Sequence, residues 1–140
     1  MILQCTFEEL RALREGARTF LGGDAPTTAA VAAPPSERVA VEKLLSRLTG
    51  DLSISTLAEQ RRVEDGVEAV VETLRIEMEA LVLSTHAGDE GAVSAYFDFA
   101  HSLSVLGRIQ ELGGEMEAMI ELMTGAPATP EIAADFQFPD

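Results

Sequence analysis

From Thr56 to Thr124 the chain repeats apolar residues every three or four positions, and this limits the folds open to it more than any other feature. Leu57, Val63, Val67, Val70/Val71, Leu74, Met78 and Leu81/Val82 form the first half of the pattern. Val93, Tyr96/Phe97, Phe99/Ala100, Leu103, Leu106, Ile109, Leu112, Met116, Met119/Ile120 and Met123 form the second. A spacing of three and four gathers residues onto one stripe of an α-helix. Between the halves stands His86-Ala87-Gly88-Asp89. Gly88 suits the position just past a helix end, and Asp89 suits the cap of the next helix. The expected fold is all-α. A long antiparallel helical hairpin, about 56–86 and 89–124, packs with two shorter N-terminal helices into a helical bundle.

The shorter helices are marked by their own start and stop signals. Thr6 and Glu9 have the spacing of a capping box, which opens a helix carrying Phe7, Leu10, Leu13, Ala17 and Phe20 on one stripe. Gly22-Gly23 stops it. Residues 24–36 are a Pro/Ala-rich connector without a period. Ser36 is expected to cap a second helix reaching Thr49, with Val39, Val41, Leu44, Leu45 and Leu48 as its apolar set. Residues 1–5 and 51–55 each read as a short strand, and the two are expected to form a minor pair. Thr56 and Glu59 repeat the capping-box spacing, so Ser53 and Ser55 compete between strand and cap. The organisation is one helical-bundle domain over 1–125, followed by a tail over 126–140.

Small residues add detail. Gly66 inside the first long helix signals a close contact. Gly113-Gly114 costs about 2 kcal/mol against alanine in a helix interior, so a kink or a tight crossing is expected there. Ala100, Ser104 and Gly107 form a narrow row that admits another helix.

Charge narrows the partners. The formal net charge is −14, and residues 76–140 hold 12 acids against one base, Arg108. Such a field repels phosphate backbones and anionic lipid, so neither nucleic acid nor a membrane surface is expected as a partner. A protein with a basic patch suits it better. Cys5 is the single cysteine, so no intramolecular disulfide can form. The first residues lack a basic segment followed by an apolar run, and no apolar run reaches 18 residues. The expectation is a cytoplasmic protein with no membrane span.

No phosphate-binding loop, nucleophile elbow or His-Glu-x-x-His motif is present, so an enzyme is not the favoured reading. One constellation holds candidate chemistry. Asp98 precedes His101 by three residues, and Glu68 and Glu72 lie on the facing helix. An acid-x-x-His pair with carboxylates from a neighbouring helix is the raw material of an iron or manganese bundle site. A full site needs a second such pair, which only a symmetric dimer would supply. The plainer alternative is a boundary histidine bonded to Asp98. His86, at a helix end, reads as a solvent-facing residue.

Met116, Met119 and Met123 form a methionine stripe, which serves either as core or as an adaptable binding surface. With Phe136 and Phe138 of the tail, it makes the far end of the hairpin the candidate partner groove. The function expected from the sequence is non-catalytic association, as a homodimer or as a subunit or adaptor. A carboxylate/His metalloprotein or oxidase is the second reading. A cargo or docking protein using its tail is the third.

Overall fold

A computed structural model describes residues 1–22, 35–84 and 90–139 of the chain. The fold is an all-α bundle with a two-stranded appendage. Its elements are β1 (Ile2–Leu3), α1 (Phe7–Phe20), α2 (Pro35–Arg47), β2 (Leu52–Ser53), α3 (Leu57–Ser84), α4 (Glu90–Thr124) and α5 (Pro130–Asp135). At about 1.5 Å per residue, the 28 residues of α3 span about 42 Å and the 35 of α4 about 52 Å. The two long helices pack along each other, α1 lies against both, and α2 lies against α3. Most of the connector, together with His86, Gly88 and Asp89, lies outside the described residues.

Local chemistry sets the helix starts. Thr6 Oγ1 accepts from the Glu9 N–H at 3.2 Å, and Glu9 Oε1 accepts from the Thr6 N–H at 2.8 Å, so the first capping box is complete. At the second, Thr56 Oγ1 accepts from the Glu59 N–H at 3.1 Å, while the Glu59 carboxylate pairs with Arg47 at 2.7 Å. α2 begins at Pro35, and Ser36 lies inside the helix, so Ser36 is not its cap. Proline is pre-set for a first helical position, because its φ is already helical and the N–H it lacks has no partner there. The short strands form as well: Ile2 faces Ser53 and Leu3 faces Leu52 in antiparallel register.

The core consists of aliphatic side chains around Phe20. Leu13, Phe20, Leu44, Leu57, Val67, Val70, Ile109, Met116 and Ile120 are all buried. Two glycines set helix distances. A Cβ on Gly66 would lie 3.0 Å from the Ala40 carbonyl oxygen, so α2 crosses α3 there at backbone range. A Cβ on Gly113 would lie 2.5 Å from Gln60 Nε2. Gln60 is 1% exposed, and its Nε2 donates to the Ile109 carbonyl at 2.8 Å and to Glu64 Oε1 at 2.9 Å. The glycine pair therefore does not interrupt α4, which is one unbroken helix. Gly113 makes room for a buried amide, whereas Gly114 faces open space.

The tail closes onto the bundle. Thr129 caps α5 through the Ile132 N–H at 3.3 Å, and Ala133 is buried. Phe138 is 5% exposed, and its N–H donates to the Ser55 carbonyl at 2.8 Å. The Met1 ammonium donates to the Ile54 carbonyl at 2.7 Å and to the Pro139 carbonyl at 2.8 Å. Residues 1–3, 52–55 and 136–139 thus form one small knot beneath the helices.

Toward its C-terminal end α3 leaves the core. The last buried residue of α3 is Leu74, and none of residues 75–83 is buried. Here Glu77 of α3 lies near Asp98 of α4 and Glu15 of α1.

Candidate association surface

α4 turns Ser102, Val105, Ile109, Gly113, Met116 and Ile120 toward the core. With about 100° between successive residues, the opposite face of its first half holds Val93, Tyr96, Phe97, Ala100, Leu103, Ser104 and Gly107. Tyr96 and Phe97 are 56% and 55% exposed, and Val93 and Leu103 also stand in solvent. The two rings meet edge to face with centroids 5.9 Å apart, forming one aromatic ridge. Ser104 and Gly107 of the small-residue row are exposed, and a Cβ on Gly107 would meet nothing within 4 Å.

This part of the surface is nearly free of charge. Residues 91–110 contain one acid, Asp98, and one base, Arg108, in a chain with 24 acids. Both charges face α1. Asp98 pairs with Arg11 at 3.6 Å, and Arg108 reaches the Glu9 carboxylate and the Gln4 carbonyl. Beyond residue 110 the same outer face carries Glu111, Glu115 and Glu121. The apolar surface therefore ends at an acidic boundary. A second exposed apolar set, Ile76, Val82 and Leu83, stands on the distal third of α3.

The carboxylates near α1 titrate in opposite senses. Burial alone would raise Glu9, but the Thr6 N–H and the Arg108 guanidinium outweigh it and hold the carboxyl below its ordinary range. Glu9 thus contributes stability above the ordinary value of about 4.5, which is lost as pH falls through its lower folded value. Burial raises Glu77, and the neighbouring charges of Asp98 and Glu15 add to it. A raised carboxyl binds its proton more tightly in the folded state, so ionised Glu77 weakens the fold at neutral pH and protonation relieves this. Glu77→Gln should raise the melting temperature at pH 7 by about 1–2 °C. Thermal melts across pH should show that gain vanishing below the ordinary carboxylate value. A constant or absent gain contradicts this assignment.

The carboxylates and histidine with metal-ligand spacing take different positions. Asp98 is held by Arg11 of α1. Glu72 pairs with Arg75 on its own helix, which keeps its carboxyl low. Glu68 is pushed up by burial and by the charges of Glu64, Asp65 and Glu37. It lines a groove with Glu72, Glu37 and Asp65 among α2, α3 and Leu106 of α4. His101 is half-buried on α4. Among the described residues, no three His, Cys, Asp or Glu side chains stand close enough together to hold a metal ion. Cys5 is half-buried, and burial pushes its thiol up despite the nearby Arg108.

The methionine stripe divides: Met116 is fully buried, Met119 packs against the core, and Met123 is 67% exposed. Phe136 packs on Phe138 with centroids 4.9 Å apart, and both join the core. Lys43 and Arg62, with Arg47, line a groove of about 330 Å³ over Leu44 and Val63. Glu59 shares that groove, and Asp65 stands beside it next to Arg62.

Sequence periodicity assigned Val93, Tyr96, Phe97 and Leu103 to the apolar set without separating the two faces of α4. A signal was available. A helix packed on one side needs an apolar stripe little wider than about 100°, and residues 92–109 are apolar on opposite sides. No helix of the described residues is long and apolar enough to cross a membrane. The chain matches no protein-family model, no curated protein and no solved structure.

Proposed function

We propose that this is a non-catalytic helical protein that acts through protein–protein association, with the outer face of the first half of α4 as its contact surface. One observation carries the reading: α4 is apolar on its core face and on the face directly opposite, where Tyr96 and Phe97 form an uncharged ridge in a chain of net charge −14. An exposed apolar face on a helix already packed on its other side marks a contact surface. Tyrosine and phenylalanine suit such a contact, because they contribute large apolar area at low entropic cost.

The test is a photoreactive amino acid placed at Leu103, with irradiation in living cells. A covalent product of defined mass is expected from Leu103 and none from Gly50, which faces open space away from the ridge. Absence of any product from Leu103 and from Tyr96 would sink the reading.

A further inference from the structure

We infer that the partner on this face is a second copy of the same chain, docked antiparallel along α4 with its two-fold axis at Ala100. This rests on the association reading above and names its occupant.

The spacing of the face supports it. A two-fold axis through Ala100 sets Val93 opposite Gly107, Tyr96 opposite Ser104, and Phe97 opposite Leu103 of the second copy. Each bulky residue of the tip meets a smaller one from the middle of the helix, and every such pair occurs twice, as an isologous interface requires. Ala100 and Gly107 let the two backbones approach, so the rings of Tyr96 and Phe97 lie over the partner helix. The result is a four-helix arrangement of two hairpins.

Charge selects the orientation. The antiparallel match brings together residues 93–107, whose only acid, Asp98, is turned to Arg11. A parallel match would lay Glu111, Glu115 and Glu121 of one copy beside the same residues of the other, where the antiparallel match brings only Glu111 near Glu90 of the second copy. Like charges at such range disfavour it.

The area is adequate. A fully exposed aromatic side chain offers ~150–250 Å², so Val93, Tyr96, Phe97 and Leu103 at their exposures leave roughly 400 Å² of apolar surface. An interface core is about 65% apolar, which makes the whole contact roughly 600 Å² per copy, or about 1,200 Å² in total. That is the lower limit of specific, stable contacts.

Sedimentation equilibrium of the purified chain tests this. At about 100 μM the particle should have twice the 15.0 kDa chain mass. Phe97→Glu should return it to the monomer mass with an unchanged helical circular-dichroism spectrum, since the ring is already exposed. In a Cys5→Ser background, a short bis-maleimide should link Ala100→Cys to itself. It should leave Gly114→Cys unlinked, because the two copies of residue 114 lie about 40 Å apart in this docking. A monomer at that concentration, a dimer that survives Phe97→Glu, or equal linking at both cysteines would overturn the inference. The association reading fails separately: a product from Leu103 in cells with a mass other than twice the chain's supports association while refuting self-docking.

Discussion

Cutting the chain after Gly125 should lower its melting temperature by about 10 °C or more. The removed segment contains Phe138, 5% exposed, and the buried Ala133 of α5. Losing a buried phenylalanine costs about 3–5 kcal/mol through lost transfer energy and the cavity left behind. The cut also frees the Ser55 carbonyl from the Phe138 N–H and the Met1 ammonium from the Pro139 carbonyl. Those bonds brace β1 against β2, so the loss reaches the other end of the chain. Phe138→Ala alone should account for about 3 kcal/mol of it. Denaturant unfolding of both variants against the parent measures this. A truncated chain that melts with the parent would show that residues 126–139 contribute nothing to the fold, and would return the tail to the role of a free docking motif.

Gly113→Leu should destabilise the bundle by about 3 kcal/mol, while Gly114→Leu should be neutral or slightly favourable. The two glycines are adjacent in the chain but have opposite environments. A Cβ at 113 would meet the Gln60 amide at 2.5 Å, and one at 114 would meet nothing within 4 Å. Moving Gln60 aside takes its Nε2 from the Ile109 carbonyl and leaves a buried amide without its partner, a cost of about 1–3 kcal/mol. Overcrowding adds a similar amount, and the better helix propensity of leucine returns about 1 kcal/mol. A double-mutant cycle isolates the contact. With Gln60→Ala in place, Gly113→Leu should cost much less, with a coupling of about 1–2 kcal/mol. Equal costs of Gly113→Leu in both backgrounds would refute the role given to Gln60.

Much of the fold was legible in particular residues. Thr6 and Glu9 mark the start of α1 because a capping box is a local exchange of two hydrogen bonds, complete within four residues. The three-and-four spacing from Leu57 to Met123 marks the long helices because period is a property of the chain itself. Gly66 marks a close crossing because only a missing Cβ allows one. The candidate site was less legible. The Asp98–His101 pair is set by spacing, but whether Glu68 and Glu72 join it depends on which helix each carboxylate turns to, and Arg11 and Arg75 take part of that set. The Met116–Met123 stripe reads as one surface, yet it runs from the core to solvent, because residues seven apart on a helix stay in line only while the neighbouring helix follows.

Local propensity, periodicity and residue counts suffice for the four larger helices, their order, the hairpin and the acidic balance. Which of two apolar faces of α4 is core follows from tertiary packing alone. Both Ile109 and Phe97 satisfy the helical period; one is fully buried and its carbonyl accepts from Gln60 of α3, and the other is 55% exposed. Period marks apolar residues but cannot say how many sides of a helix its neighbours cover, because cover depends on which side the other helices pack against. Tyr96 and Phe97 lie on the side of α4 turned away from the core, in water.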